Sequence, residues 1–321
     1  MPLGYQRLVG AVQEAYERGL LGKGIFGIDG FDVEIDDPPR APAPTSAAKR
    51  RGCSPRWRAA GATPSSSPLS PAVSGLFGCP TVVNNVVTIA YLPYIFGGFG
   101  RGGDAEAGIA WWRSHGTEKS PGLMPYSISG HVRAPGVYEL PLGTRLGDML
   151  ELAGGWERPW KAVIPGGSSA KILRLPESLD VSMDFEGLMQ AGTMLGSAGV
   201  IVMDETVCVV DALYNLLRFY AHESCGQCTP CREGTGWAEK IVARIEKGQG
   251  RMEDLDTLLG LADRAIGKTI CVFAEAFCWP IQSCIALFRE EFEAHIRERR
   301  CPLRAGPRAA AGERAVGAGA H

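Results

Sequence analysis

Apolar and polar residues alternate with helical spacing in the first segment of the chain. Apolar residues recur every three or four positions across 5–21, which predicts an amphipathic helix. A short strand is predicted at 31–35. Across 36–71 the apolar periodicity vanishes and Pro, Ala, Ser and Arg dominate, a composition typical of a disordered linker.

The middle of the chain carries the period of β-strands. Two short alternating runs, 127–132 and 136–140, are joined by an Arg-Ala-Pro turn and predict a hairpin. A helix is predicted at 146–152, closed by a pair of glycines. With further strands, this order suggests a small β-grasp-like module. His131 lies in the hairpin, where a single histidine is more often structural than ligating.

The last third of the chain returns to helical spacing and predicts a bundle of four helices. Their predicted bounds are 209–221, 237–247, 252–266 and 281–299. Cys278 and Cys284 flank the start of the last helix, and we expect them to pack in the core rather than bind a metal. The tail at 301–321 is rich in Ala, Gly and Arg and is predicted to be disordered.

Composition narrows the class of protein. A chain of 321 residues with 45% hydrophobic content has enough apolar side chains to form hydrophobic cores in two or three domains. A net charge of −2 argues against nucleic acid as the main partner. The longest apolar run, 200–210, is interrupted by Asp204 and Glu205 and is too short to span a bilayer. We therefore expect no direct membrane insertion, and any association with a membrane to go through a partner.

The most specific chemical signal is a run of three cysteines, Cys225, Cys228 and Cys231, each three residues from the next. Gly, Gln, Thr and Pro separate them, which predicts a tight loop that turns three thiolates toward one point. A cubane iron–sulfur cluster needs that arrangement and a fourth thiolate. Cys271 is the best candidate for the fourth, because it follows a predicted helix and ends a short polar turn.

Zinc binding and disulfide formation are alternative roles for these cysteines. A four-cysteine zinc site usually takes two ligands from each of two CxxC knuckles, whereas here the division is three plus one. Disulfides or free thiols are the weakest alternative, because ten cysteines are few for a disulfide scaffold and the start of the chain shows no signal peptide. The spacing favours a [4Fe–4S] cluster.

The segment 222–237, HESCGQCTPCREGTGW, carries a family resemblance, together with Cys271 and the segment 71–85. These residues resemble the NADH-binding flavoprotein subunit, of the F type, of bacterial NADH:quinone oxidoreductase, respiratory complex I. The likeness covers about residues 5–35 and 71–300. In that family NADH passes a hydride to FMN, and the flavin releases single electrons to a [4Fe–4S] cluster.

The resemblance implies roles for particular residues. Cys225, Cys228, Cys231 and Cys271 would bind the cluster. The family's flavin-contacting loop corresponds to Val83, Asn84, Asn85 and Thr88, although Val87 stands where a Glu is usual. The hairpin module would be the family's β-grasp-like ligand-binding domain, termed SLBB.

The implied fold is α+β and multidomain. We expect an incomplete α/β domain for FMN and NADH at 1–125, an SLBB domain at 126–204, a C-terminal helical bundle carrying the cluster at 205–300, and a disordered tail at 301–321. The implied partners are other peripheral-arm subunits of complex I, including a thioredoxin-like [2Fe–2S] subunit. The implied location is cytoplasmic, peripheral to the inner membrane.

Two alternatives to this function remain. Similar flavoprotein subunits serve as the diaphorase of NAD-reducing hydrogenases and of NAD-dependent formate dehydrogenases. In a different class, the chain would be a non-catalytic fragment with a structural metal site.

Two departures from the family pattern affect the flavin site. The family's glycine-rich FMN motif, GRGGxGF, has no counterpart in the chain, which predicts an amino-terminal truncation. At 40–51 the chain also lacks a stretch resembling GAGAYICGEETALL. Because that stretch brings backbone and carboxylates close to the flavin and nicotinamide, we expect FMN and NADH to bind weakly or not at all.

A compensated frameshift accounts for the second departure. With permitted codons, restoring one G after Arg40 gives GAGAYICGEET followed by GLLSPLEGRRGHPVLKPPFP, after which Ala72 continues in frame. One base lost near codon 41 and one gained near codon 71 would produce the whole segment.

Overall fold

The computed structural model of the chain describes residues 3–35, 72–74, 78–97 and 102–303. The described residues fall into two compact units, one that contains 3–35 and one that contains 72–74, 78–97 and 102–303. The predicted linker at 36–71 and its frameshift lie outside the described residues, as does the tail from 304.

The first unit contains helix α1 (Leu3–Glu17) and a single 3₁₀ turn (Ile25–Gly27). The helix ends before its predicted limit, because Gly19 has φ +68° and turns the chain away. The predicted strand at 31–35 is wrong. The segment forms an isolated β-bridge instead, in which Val33 exchanges two hydrogen bonds of 2.8 and 2.9 Å with Gly22.

A five-stranded sheet forms the middle of the second unit. Its strands are β1 (Leu123–Gly130), β2 (Gly136–Pro141), β3 (Trp160–Ile164), β4 (Leu173–Arg174) and β5 (Gly199–Asp204). They lie in the order β2-β1-β5-β3-β4, with β1 and β5 parallel and the other neighbours antiparallel. The predicted hairpin is confirmed as β1–β2.

Short helices complete this module and its surroundings. They are α2 (Val86–Ile95), α3 (Ala105–Arg113), α4 (Leu146–Leu152) and α5 (Phe185–Gln190). The helix α4 has its predicted bounds, and its apolar face is fully buried with Tyr126 and Ile128 of β1. The hydroxyl of Tyr91 in α2 donates a 2.6 Å hydrogen bond to Glu139 of β2, which connects this helix to the sheet.

The structural role predicted for His131 is confirmed. Its Nδ1 accepts a 3.1 Å hydrogen bond from the amide of Asp204, and its ring lies 5.3 Å from that of Trp156. Burial raises the pKa of Asp204, but hydrogen bonds from Thr206 and Trp156 outweigh it and lower the pKa below its ordinary value. These contacts join the loop after β1 to the end of β5.

Four helices follow the sheet: α6 (Val209–Glu223), α7 (Thr229–Glu246), α8 (Glu253–Ala265) and α9 (Phe273–Glu298). Two predicted starts are wrong, because α7 begins at Thr229 and α9 begins at Phe273. Pro230 is tolerated in the first turn of α7, where its missing N–H has no helical partner. Pro280 lies inside α9, and burial of Phe273 and Phe277 ahead of it offsets the lost helical hydrogen bond.

The bundle buries several cysteines. Cys278 and Cys284 are 0% and 4% exposed, so their predicted packing in the core is confirmed. The predicted start of the disordered tail is wrong at Cys301, which is 7% exposed and belongs to the core of the helices. Within the described residues the fold is α+β, as predicted. No helix there has both the length and the apolar character needed to cross a bilayer.

Candidate metal centre

The three-cysteine motif crosses a helix boundary. Cys225 and Cys228 precede α7, Cys228 is its N-cap, and Cys231 lies in its first turn. The amide of Cys231 donates a 3.1 Å hydrogen bond to the carbonyl of Cys228. The prediction of one loop for all three cysteines is therefore wrong for Cys231, because the sequence after Thr229 already folds as helix.

A left-handed glycine shapes the loop between α6 and α7. Gly226 has φ +76°, a conformation that side-chain-bearing residues adopt at a cost. Its carbonyl accepts a 2.9 Å hydrogen bond from Arg232 Nη1, and its amide donates to the hydroxyl of Ser224 at 3.4 Å. These contacts hold the loop against the first turn of α7.

Cys271 lies in the connection between α8 and α9. The chain turns at Gly267, which has φ +71° and donates its amide to Glu275 Oε1 at 3.0 Å. The hydroxyl of Thr269 donates to the carbonyl of Cys271 at 2.7 Å. The amide of Ile270 donates to the sulfur of Cys228 at 3.4 Å, so this connection contacts the cysteine motif directly.

The four thiols are close enough to influence one another. Burial raises the pKa of Cys231 to about 11, and a hydrogen bond with Ser224 opposes that rise. The negative charges that Cys225, Cys271 and Cys228 carry when ionised raise it further. Cys231 is the buried member of the set, and the other three cysteines are partly buried. A metal bound by these thiols would displace their protons.

The closest set of metal-ligating side chains in the described residues lies elsewhere. Donor atoms of Cys208, His295 and Cys301 all lie within 4.8 Å of one another, and no three of the four cysteine sulfurs come that close together.

Buried aromatic residues support the centre from the side of the sheet. The hydroxyl of Tyr220 in α6 forms hydrogen bonds with Ser168 and Ser169, at 2.9 and 3.0 Å. Its ring meets that of Phe273 edge-on at 5.6 Å. The carbonyl of Tyr220 accepts from the amide of Ser224, which directly precedes the motif. The position of the motif is thereby tied to the β-sheet module.

Two contacts at the centre were not expected from the sequence. The hydroxyl of Ser224 lies 3.3 Å from the sulfur of Cys231, and the amide of Ile270 lies 3.4 Å from the sulfur of Cys228. Both groups can donate to a thiolate. Their positions next to Cys225 and Cys271 are the only signal that the sequence offers, since the contacts themselves depend on tertiary structure.

The predicted flavin-contacting residues lie at the start of α2. Val83, Asn84, Asn85 and Thr88 are all exposed. Asn85 is the N-cap, and its Oδ1 accepts a 2.8 Å hydrogen bond from the amide of Val87. The start of this helix thus presents polar and apolar groups to solvent. The segment 41–71, which would complete the family's site, lies outside the described residues.

Known domain families match both parts of the second unit. Residues 211–295 match the NADH-ubiquinone oxidoreductase-F iron–sulfur binding region, which spans α6 to α9. Residues 125–173 match the SLBB domain. The fold and these matches thus define the class of proteins that combine an SLBB domain with an iron–sulfur binding region.

Individual relatives narrow this class. The chain is 46% identical over 309 residues to the NADH-quinone oxidoreductase F subunit of Mycobacterium bovis, covering 93% of this chain and 65% of the relative. It is 42% identical over 302 residues to NADH-quinone oxidoreductase F subunit 2 of Rhizobium meliloti, covering 93% and 69%. The chain belongs to the F-subunit family of NADH-quinone oxidoreductases, as the cysteine motif predicted. It spans less than two thirds of the length of the Mycobacterium bovis relative.

A solved structure shares the fold. The chain is similar to a chain of the NAD⁺-reducing [NiFe]-hydrogenase in the air-oxidized state, with a TM-score of 0.76 and 30% identity. The similarity covers 91% of this chain and 47% of that one.

Proposed function

We propose that the chain binds a [4Fe–4S] cluster through Cys225, Cys228, Cys231 and Cys271 and serves as an electron-transfer subunit of NADH:quinone oxidoreductase. The observation that carries the proposal is the direct contact between the two segments that bear these cysteines, because the amide of Ile270, next to Cys271, donates to the sulfur of Cys228 at 3.4 Å. A bound cluster of this kind supplies one-electron transfer. The match of residues 211–295 to an iron–sulfur binding region supports the same assignment.

The division of the ligands along the chain favours an iron–sulfur cluster over zinc. Three of the cysteines lie in one short segment and Cys271 lies in another, whereas a four-cysteine zinc site usually takes two ligands from each of two CxxC knuckles.

The chain's own residues prepare the site for negative charge. Four thiolates around a cluster carry a net negative charge that the buried position of Cys231 makes costly. The amide of Ile270 and the hydroxyl of Ser224 donate to the sulfur atoms and reduce this cost. Phe273, at the start of α9 two residues after Cys271, is buried and packs edge-on against Tyr220.

We propose that Val83, Asn84, Asn85 and Thr88 contact FMN when the flavin site is complete. The chain with its present sequence would bind FMN and NADH weakly or not at all, because the segment 41–71 replaces the family's nucleotide-site stretch with Pro, Ser and Arg. Sequencing the gene tests the frameshift hypothesis directly. Codons that cannot be read as GAGAYICGEET across 41–51 would refute it.

The proposed partners follow from the family. The chain would associate with other peripheral-arm subunits of complex I, including a thioredoxin-like [2Fe–2S] subunit. The complex would lie on the cytoplasmic side of the inner membrane. The proposed domains are 1–125, 126–204 and 205–300. The buried Cys301 is added to the third domain, so the proposed tail starts after it.

A second candidate function is the diaphorase subunit of an NAD-reducing hydrogenase. The TM-score of 0.76 to such a hydrogenase chain favours it, whereas the identity of 46% to an NADH-quinone oxidoreductase F subunit favours the first. Formate dehydrogenases use similar subunits. Neighbouring genes distinguish these functions, since genes for membrane-arm subunits indicate complex I. A non-catalytic fragment would carry no reducible cluster.

Anaerobic reconstitution of the full chain with iron and sulfide tests the proposal. We expect broad visible absorbance that dithionite bleaches. Replacing one ligand, Cys228→Ser, should abolish it, while the exposed Cys79→Ser variant should retain it. Bleachable absorbance that survives Cys228→Ser would refute the ligand assignment.

A further inference from the structure

A second group of metal-ligating side chains lies where three helices end. Cys208 is the N-cap of α6, Glu246 is the last residue of α7, and His295 lies in the last turn of α9. Cys301 follows α9. All four are 7% exposed or less, and none belongs to the cysteine set of the proposed cluster.

The donor atoms have the spacing of a single ion's ligands. The Sγ atoms of Cys208 and Cys301 and one ring nitrogen of His295 all lie within 4.8 Å of one another. The Sγ of Cys208 is 3.3 Å from His295 Nε2 and 3.9 Å from Glu246 Oε2. The same carboxylate oxygen is 3.4 Å from His295 Nε2. Tetrahedral zinc with thiolate, imidazole and carboxylate ligands gives donor separations of about 3.3–3.8 Å.

The orientation of His295 suits a ligand. Its Nδ1 lies 2.7 Å from the carbonyl oxygen of Glu291, which accepts only, so Nδ1 carries a proton. In the neutral ring, Nε2 then presents its lone pair toward Cys208 and Glu246. Metal-binding histidines commonly have this hydrogen bond from the second nitrogen.

An unusual turn after α9 brings Cys301 next to Cys208 and His295. Arg299 ends α9 with φ +55°, the left-handed region that residues with side chains rarely adopt. Gly248, two residues after Glu246, closely faces it. A Cβ at Gly248 would lie 1.9 Å from the carbonyl oxygen of Arg299. The end of α7 and the turn after α9 are therefore fitted to each other.

Cys208 has the environment of a thiolate ligand. The amide of Asp211 donates to its sulfur at 3.4 Å, in the first turn of α6. The side chain of Glu291 accepts from the amide of Val209 at 3.2 Å and pairs with Lys161 of β3. Glu291 therefore both orients the ring of His295 through its carbonyl and holds the start of α6 through its side chain.

We propose that Cys208, His295 and Cys301 bind one zinc ion, and that Glu246, which contacts Cys208 and His295, supplies the fourth ligand of a closed structural site. Two thiolates and an imidazole select a borderline divalent ion of this type over magnesium or calcium. The ion would join the ends of α6, α7 and α9 and anchor the chain beyond α9. The alternative arrangement without metal is an ion pair between His295 and Glu246 with two neutral thiols beside it.

Metal analysis of the full chain distinguishes the two arrangements. Purified chain supplied with zinc chloride should hold one zinc ion after gel filtration. Cys301→Ser and His295→Gln should weaken zinc binding by more than about 100-fold. Two controls should keep the zinc: Cys284→Ser, a buried cysteine of α9 outside the group, and Cys228→Ser, which removes a proposed cluster ligand.

Several results would overturn the proposal. These are no zinc bound by the unmodified chain, zinc retained in both His295→Gln and Cys301→Ser, or zinc lost in Cys228→Ser. Thiol titration that finds Cys208 and Cys301 joined in a disulfide would also overturn it. If the His295 and Cys301 variants do not fold, cobalt(II) bound to the Cys228→Ser chain provides the test. Thiolate-to-cobalt charge-transfer absorbance supports the site, and its absence refutes it.

Discussion

The amide of Ile270 donates a 3.4 Å hydrogen bond to the sulfur of Cys228. This contact joins two connections that are far apart in the sequence, one before α7 and one before α9. Because Cys271 directly follows Ile270, the hydrogen bond sets the distance between the fourth cysteine and the other three. One backbone group therefore both assembles the proposed ligand set and donates to one of its sulfur atoms.

The hydroxyl of Ser224 should tune the cluster's reduction potential. It lies 3.3 Å from the sulfur of Cys231 and stabilises the more negative, reduced state by donating to it. We expect Ser224→Ala to lower the midpoint potential by on the order of tens of mV. Ser224→Thr keeps the hydroxyl and should keep the potential. Redox titration followed by electron paramagnetic resonance measures both, and equal potentials for Ala and Ser would contradict the assigned contact.

The stability of the helical bundle should depend on Arg244, because this arginine pairs with the buried carboxylate of Asp254. Asp254 is 1% exposed and accepts hydrogen bonds from Arg244 Nε at 3.1 Å and from the amide of Arg251 at 2.8 Å. Arg244→Ala should lower the free energy of unfolding by about 2 kcal/mol, less than for a fully buried pair, because Arg244 is partly exposed. Arg251→Ala keeps the backbone amide that donates to Asp254. Loss of the exposed Arg251 side chain should lower the free energy of unfolding by less than about 1 kcal/mol. Urea unfolding measures both variants.

The same pair should respond to acid. Burial raises the pKa of Asp254, but the hydrogen bonds and charges of Arg244 and Arg251 outweigh it and lower the pKa below its ordinary value. A lowered pKa contributes stability above the unfolded value of about 3.9, and that contribution is lost as the pH falls through the folded pKa. The difference between the unmodified chain and Arg244→Ala should therefore shrink as the pH falls through and below about 3.9. A difference that stays constant would exclude ionised Asp254 as its cause.

FMN binding and NADH oxidation should be weak in this chain. Residues 40–51 lack the family's glycine-rich and acidic stretch, so we expect purified protein without stoichiometric flavin and with little NADH–ferricyanide activity. Iron content should be unaffected, because the buried core that contains Cys231 is built from residues at 162 and beyond. Protein that retains one yellow FMN per chain would disprove this expectation.

Local patterns predicted much of the fold, and tertiary contacts account for the differences. Alternation of side chains identified the β1–β2 hairpin, and helical spacing gave α4 its observed bounds. The predicted starts of α7 and α9 are late because proline usually interrupts a helix. Pro230 instead occupies a first turn, and buried Phe273 and Phe277 extend α9 ahead of Pro280.

The two candidate metal sites also differ in how far the sequence indicates them. The three-residue spacing of Cys225, Cys228 and Cys231 is local, so the sequence alone indicated a metal centre. The group around Cys208 and His295 has no such signal, because 87 residues separate these two side chains that lie 3.3 Å apart. Only the packing of α6 against α9 brings them together.

Iron and sulfide analysis of the reconstituted chain, with electron paramagnetic resonance of its reduced form, tests the central claim most directly. We predict about four iron and four sulfide per chain, with the spectrum of a reduced cubane cluster, as expected for four cysteine ligands. Cys271→Ser should lose this signal. Zinc at the four cysteines, with no iron or sulfide, would contradict the account and favour a structural metal site there.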